Sequence, residues 1–360
     1  MSERFFTEEK RTALEAKEMA QWIAFGPAVF QAARVLRNSG ILATVEAGGA
    51  AGISIAEIAA QLQLSVYGVR VLLEAGLSIG LVLRNNGRYT LSKTGFFILH
   101  DALTRVNMDF VHDICYKAFF HLDKSIESGQ PVGLRELGGW NTVYEGLSQL
   151  QPQEKESWFN FDHFFSDDVF ETVLPLVYDR GVKKLLDIGG NTGKWATASV
   201  QYRDDIHVTI MDLPGQIEMA KQAIAEKGLS DRVSFVAGNL LDEQTQVPAG
   251  MDAIWVSQFL DCFAEDQIIS ILKRCNKALD NEGFLFILEP FWDKQKFETA
   301  AFCLHQTSLY FTAVANGCSQ MYSYEVMAKC VEAAGFAIVE ESGQLGLSQT
   351  LLTCKKISAL

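Results

Sequence analysis

Beyond residue 180 the apolar positions come in short unbroken runs, separated by stretches with helical spacing. KKLLDIGG, HVTIMDLP, RVSFVAGN, MDAIWVSQ, GFLFILEP, FAIVEE and QTLLTCKK read as strands; TGKWATASVQYR, QIEMAKQAIAEKG and DQIISILKRCNKALD read as the helices between them. Continuous apolar strands alternating with helices predict an α/β sheet covered on both faces. Residues 292–334 interrupt that rhythm between the fifth and sixth strands. The first part of the chain has another texture. Residues 1–30 read as helix interrupted near Gly26-Pro27, and VFQAARVLRNSGILATVEA continues with helical spacing. SIAEIAAQLQL opens on Ser54 with Glu57 three residues later, the reciprocal pattern of a capping box. SVYGVRVLLEAGLSIGLV predicts a third helix, and LVLRNNGRYTLS two short strands about an Asn86-Gly87 turn. Helices followed by a β-ribbon give a winged-helix order. Residues 101–180 read as mostly helical and aromatic, with a loop near 128–140.

Composition narrows the reading. A chain of 360 residues exceeds one ordinary core and suits two or three units. Thirty-one Lys and Arg against 44 Asp and Glu leave −13, a field that repels phosphate backbones and anionic lipid. Nucleic acid and membrane are therefore not expected partners. No apolar run approaches the roughly 18 residues of a bilayer span, and MSERFFTEEKRTALEAKE is too charged for a signal peptide. Seven cysteines without a CxxC pair read as reduced thiols of a cytoplasmic protein, and six scattered histidines give no metal motif.

The strongest chemical signal is LLDIGGNTGKW at 185–195. A buried strand ends in Asp187, and a turn bearing Gly189, Gly190 and Gly193 opens a helix. Small residues and free N–H groups there let a ligand approach the backbone. A phosphate-cradling GxxxxGK[ST] loop would need glycine at 188 and a hydroxyl at 195, where Ile188 and Trp195 stand. A dinucleotide GxGxxG read from Gly189 meets Asn191 and Lys194 in place of its later glycines. The remaining pattern places an anion at the strand end. It suits a cationic, hydroxyl-rich ligand, and S-adenosylmethionine carries an ammonium, a sulfonium and a ribose diol without phosphate. Asn191 is a residue type that enters the left-handed conformation. Asp212 ends the second strand, 19 residues after Gly193, where a carboxylate accepts both ribose hydroxyls or merely caps the next helix. Gly238, Asn239 and Leu240 follow the third strand, either at an adenine edge or in a surface turn.

These motifs occur in a familiar order. With the winged-helix rhythm at 30–100, WFNFDHFFSDD at 158–168, LLDIGGNTG, IMDLP, GNLLD, LDCFAEDQ at 260–267, ILEP at 287–290 and EAAGF at 332–336, nearly the whole chain resembles one family. It is that of the class I S-adenosylmethionine-dependent O-methyltransferases of the plant caffeate type, with their bacterial relatives acting on polyketides and hydroxycarotenoids. The resemblance implies an α/β fold: a Rossmann-like seven-stranded sheet over 179–360, an α-helical winged-helix dimerisation domain over 1–105, and a helical connector over 106–178 lining the acceptor pocket. It further implies a cytoplasmic homodimer of secondary metabolism, methylating a hydroxyl of a small aromatic or polyene-type molecule and releasing S-adenosylhomocysteine. Its cofactor contacts fall on Asp187, Gly189, Gly190, Gly193, Asp212, Leu213, Gly238, Asn239, Leu240 and Ser257. Its acceptor pocket falls on Phe159, Asn160, Phe263, Phe302 and Asn316.

The catalytic positions depart from that family. Its general-base histidine aligns with Asp261 and the tryptophan two residues on with Phe263; Glu289 keeps an acid, while a second glutamate becomes Gln320. A phenol near pKa ~10 is far from an ordinary carboxylate near ~3.9, so Asp261 is a weak base unless burial or a neighbouring Glu289 raises it. His163, in the acceptor-facing segment, and His305, in the inserted helix, are the other candidate bases; each also reads as a half-buried structural histidine. Methylation at a ring carbon, decarboxylation or hydroxylation on the same scaffold, and cofactor binding without turnover are the alternatives. A winged-helix regulator is disfavoured, because the third helix carries only Arg70 as a cation.

Overall fold

The structure is a computed structural model that describes residues 5–357, apart from the side chains of Ser166 and Asp167. The chain divides between Val111 and His112 into two compact units.

In the first unit helices span Ala13–Ala24, Gly26–Asn38, Ile41–Ala47, Ile55–Leu62 and Val66–Ser78. Strands β1 (Val82–Asn85) and β2 (Arg88–Leu91) follow as an antiparallel ribbon, then helices Lys93–His100 and Ala102–Phe110. The Ser54 capping box forms: the Glu57 N–H donates to Ser54 Oγ at 3.3 Å, and the Ser54 N–H donates to Glu57 Oε2 at 2.7 Å. Asn86 and Gly87 both have positive φ, 48° and 80°, the pair of left-handed residues that a tight hairpin turn of matching twist requires. Leu36, Ile41, Leu42, Val45, Ile58, Val69 and Leu73 bury completely to make the core of this unit. Two expectations need correction. Helix begins only at Ala13, residues 1–4 lying outside the described part, and the run from Val29 breaks at Gly40, whose φ of 82° ends one helix before the next.

The second unit carries all seven strands the apolar runs predict: β3 (Lys184–Ile188), β4 (His207–Asp212), β5 (Val233–Ala237), β6 (Met251–Ser257), β7 (Leu279–Glu289), β8 (Phe336–Leu345) and β9 (Gln349–Lys356). Their order is β5-β4-β3-β6-β7-β9-β8, parallel through β7, with β9 antiparallel to both its neighbours. Alternate residues feed two cores. Leu186, Ile188, Ile254, Val256, Leu285 and Ile287 pack on one face, and Leu185, Val208, Ile210, Trp255, Phe286 and Leu288 on the other. That is the two-residue period of a strand buried on both sides, and it explains why the sequence shows unbroken apolar runs. Successive connections leave β3 toward β4 on one side and β6 on the other. In open α/β sheets, ligands bind outside the carboxyl ends of the strands at such a reversal.

Among the described residues no helix is long and apolar enough to cross a membrane, and no group of three or more His, Cys, Asp or Glu is placed to hold a metal ion.

Candidate active site

Asp187, the penultimate residue of β3, is 2% exposed, and its Oδ2 has no hydrogen-bond partner. Burial, with the nearby Asp212 charge adding to it, pushes this carboxyl up to about 8. An unpaired buried carboxylate oxygen is costly, and a cationic donor brought by a ligand relieves that cost. Gly189 and Gly193 have φ of 74° and 77° and close the turn; the Gly193 N–H donates to the Gly190 carbonyl at 2.8 Å. A Cβ at Gly189 would lie 2.3 Å from the Phe259 ring, and one at Gly190 would lie 2.7 Å from Asp187 Oδ2. Two glycines thus let the strand end, the loop and the segment after β6 meet.

Asn191 takes the left-handed conformation expected of it, with φ of 47°. Its backbone N–H donates to Asp212 Oδ2 at 2.8 Å, and the Leu213 N–H donates to Asp212 Oδ1 at 2.7 Å. Each Asp212 oxygen keeps acceptor capacity for a further donor such as a hydroxyl. Burial pushes Asp212 up to about 6, with the two N–H donors pulling the other way. The Asn191 side chain donates to Asp162 Oδ2 at 3.1 Å, tying the loop to the helix Pro152–Ser166. Sequence reasoning missed Asp162; its role arises from a contact across 29 residues that no local pattern announces.

The segment after β6 turns at Gln258, whose φ is 46°, and enters a short 3₁₀ turn over Leu260–Cys262. Glu289, at the end of β7, reaches back to it. Its Oε1 accepts the Phe259 and Leu260 N–H groups at 3.0 and 2.9 Å, while its buried Oε2 has no partner. Asp261 is 6% exposed and Glu289 2%. Burial raises both carboxyls above the usual range; Asp162 adds to the effect at Asp261, and the Asp261 charge adds to it at Glu289. The Cys262 thiol donates to Asp261 Oδ1 at 3.4 Å. Aromatic groups surround this region: the Phe259 and Phe263 rings lie 4.7 Å apart, and the Trp158 indole N–H donates to the Tyr310 hydroxyl at 2.8 Å. The phenols of Tyr144 and Tyr310 are both raised by burial, with the neighbouring Cys262 thiol adding to it.

The other expected residues fall as follows. Gly238 donates its N–H to the Asp212 carbonyl at 2.9 Å, and Ser257 ends β6 at the same rim. Asn239 is exposed and accepts the Leu241 N–H at 2.9 Å, while Leu240 packs into the core beside Met211. Asn316 is fully engaged locally: its Nδ2 donates to the Cys262 carbonyl at 2.6 Å, and its Oδ1 accepts the Cys318 and Ser319 N–H groups. Phe302 is 52% exposed and Asn160 is exposed as well. The Phe159 ring stacks on His163 at 5.9 Å, and His163 Nδ1 lies 4.0 Å from Asp162 Oδ2. His305 sits 4.7 Å from the Trp292 ring, and burial lowers its pKa.

Residues 153–337 match the O-methyltransferase domain family, and residues 17–89 match a Dimerisation2-like domain. The chain belongs to the S-adenosylmethionine-dependent O-methyltransferase family. The L-tyrosine C(3)-methyltransferase of Streptomyces lavendulae is 24% identical over 319 residues, 88% of this chain and 85% of that protein. The bacteriochlorophyllide d C-20 methyltransferase of Chlorobaculum tepidum is 34% identical over 164 residues, 44% of this chain and 47% of that protein. The fold is shared with the apo methyltransferase SibL, at TM-score 0.71 and 23% identity over 94% of this chain and 98% of that one. It is shared also with NcsB1 bound to S-adenosylmethionine and 2-hydroxy-5-methyl naphthoic acid, at TM-score 0.68 and 21% identity over 91% of this chain and 96% of that one.

The residues present fit the family's cofactor. Asp187 offers an unpaired buried oxygen to a cation, the glycine turn offers its backbone, and Asp212 offers free acceptor capacity to a diol.

Proposed function

We propose that this methyltransferase methylates a hydroxyl of a small aromatic or polyene-type molecule. One juxtaposition carries the reading: the glycine turn after Asp187 comes so close to the Phe259 ring that a Cβ at Gly189 would lie 2.3 Å from it, and Phe259 stands two residues before the buried Asp261 among aromatic side chains. S-adenosylmethionine, when bound, supplies an electrophilic methyl group on a sulfonium. The chain's own contribution is placement and proton handling. Asp187 and Asp212 hold the cofactor, and the glycine turn fixes its distance from the segment 258–263. Aromatic walls exclude water and orient a flat acceptor, and alignment of this kind contributes several kcal/mol to an in-line displacement. Phe159, Asn160, Phe263 and Phe302 are assigned to the acceptor side, with His163 and His305 as reserve proton acceptors.

A ring carbon beside a phenol is the second reading. The match to an L-tyrosine C(3)-methyltransferase across 88% of this chain favours it. The carboxylate at 261 favours it too, since a ring proton released after methylation is more acidic than a phenol. Purified protein incubated with methyl-labelled cofactor and a panel of hydroxylated aromatics and polyenes separates the readings by product mass and carbon-13 position. Cofactor binding without any product would overturn both.

We further propose that the unit ending at Val111 is a dimerisation module, with the helical connector serving the acceptor pocket. The Dimerisation2-like match and the exposed Leu14, Trp22, Ile23 and Phe25 support this. Sedimentation of wild type against Trp22→Glu/Ile23→Glu tests it: a dimer that becomes a monomer supports the module.

A further inference from the structure

We propose that Asp261 and Glu289 hold one proton between them and act as a pair to accept the proton that leaves the acceptor. The proposal rests on the methyl-transfer reading, and three observations carry it. Both carboxyl groups are almost fully buried, at 6% and 2% exposure. One oxygen of Glu289 is clamped by the N–H groups of Phe259 and Leu260, so Glu289 is fixed against the turn that presents Asp261. Its other oxygen is buried without a partner. A bare carboxylate oxygen in that position, next to a second buried carboxylate, is relieved by a shared proton.

Around the two carboxylates the neighbours are a thiol, phenols and a third carboxylate, Asp162, whose Oδ2 lies 4.0 Å from His163 Nδ1. Asp261 faces the Cys262 thiol on its own turn and the Asp162 carboxylate from the helix 152–166. The phenols of Tyr144 and Tyr322, from two further elements, both feel the Asp261 charge. Among the described residues no Lys, Arg or His pairs with either carboxylate, so the negative neighbour Asp162 strengthens the hold on the proton. The Asp261 carboxylate can then accept a proton near neutral pH, which an ordinary exposed aspartate does poorly.

In the step itself, a lone pair of the acceptor oxygen forms the bond to the methyl carbon. The carbon–sulfur electron pair remains on sulfur, which becomes neutral, and the hydroxyl proton passes to Asp261. A ring-carbon acceptor would use its π electrons for the new bond and deliver its ring proton to the same oxygen.

The test is carboxyl protonation in the cofactor-free, full-length protein, read by infrared difference spectroscopy and carbon-13 NMR of labelled Asp and Glu. It is made in an Asp187→Asn background, so that the other proton-bearing carboxyl does not contribute. At pH 7 one protonated carboxyl is expected from the pair, and its titration should move to lower pH in both Asp261→Asn and Glu289→Gln, since each variant removes the second negative charge. If either added variant fails to fold, titration of the background protein decides: retention of one such proton at neutral pH supports the pair. Full ionisation of both groups by pH 7, or a signal unchanged in both variants, overturns it. The readout needs no acceptor, so it stands apart from failure to find a methylated product.

Discussion

Asn191 fastens Asp212 from a left-handed backbone: its N–H meets Asp212 Oδ2 at 2.8 Å while φ stands at 47°. The carboxylate can only be held this way if the loop residue tolerates positive φ. Asn191→Gly keeps the conformation and the N–H, so its affinity for S-adenosylhomocysteine should stay within about threefold of wild type. Asn191→Val forces a β-branched residue into that conformation at a cost of roughly 1–3 kcal/mol, so calorimetry should show affinity falling about tenfold or more. Equal affinity for the two variants would mean that the loop geometry does not govern cofactor binding.

Asp187 makes the free protein less stable as pH rises. Burial holds its carboxyl up to about 8 in the folded chain, against the ordinary carboxylate value near 4 when unfolded. Between those limits the native state keeps a proton that the unfolded chain has lost. Its favourable contribution is complete below the unfolded value and is lost progressively up to the folded one. Asp187→Asn should therefore raise the stability of the cofactor-free protein near pH 8 and scarcely change it at pH 4, in urea titrations at both pH values. The same substitution should abolish cofactor binding. In wild type at pH 7, binding of S-adenosylmethionine should release a proton, visible as a buffer-dependent binding enthalpy.

Asp212 gives a second, lower limb. Burial lifts it to about 6, so cofactor affinity should weaken further as pH falls through 6 and the carboxyl gains its proton. Asp212→Asn turns one of the two acceptor oxygens into an NH2 donor and removes the charge, a hydrogen bond to a charged group being worth about 1.5–3 kcal/mol. Affinity should fall about 10- to 100-fold, and the dependence of binding on pH below 7 should flatten, leaving the Asp187 limb. Equilibrium dialysis across pH 5–8 reads both effects.

The sequence made the sheet and its binding loop legible for a physical reason. Strands buried on both faces must be apolar throughout, and Asp187, Gly189, Gly193 and Asp212 lie within a few residues of strand ends. Local chemistry likewise announced the Ser54–Glu57 cap and the Asn86–Gly87 turn, because the groups that bond or bend are neighbours in the chain. What stayed hidden is what only folding brings together. Asp162 meets Asn191 from a different helix, Tyr310 meets Trp158 across 152 residues, and Glu289 grips backbone rather than another side chain. The insertion of β9 between β7 and β8 is similarly unreadable from strand composition, since an antiparallel final hairpin and a parallel one show the same apolar runs. Leu240 illustrates the converse: adjacent to a rim residue in sequence, it turns inward to the core.

Gly189 and Phe259 join the cofactor loop to the segment that carries Asp261. A methyl group at 189 would stand 2.3 Å from the Phe259 ring, and φ at 189 is 74°. Gly189→Ala therefore meets two separate penalties, the collision and the left-handed backbone, the latter roughly 1–2 kcal/mol for an L-residue. Shortening the ring removes the first and leaves the second. Gly189→Ala should lower cofactor affinity and turnover together, Phe259→Ala should mainly lower turnover, and the double variant should recover part of the affinity lost in the first. A double-mutant cycle on cofactor affinity should show a coupling of about 0.5–3 kcal/mol, as expected for side chains in contact. Strict additivity would show that the two segments act independently, and that the close approach of loop and base segment is not what positions the methyl donor against the acceptor.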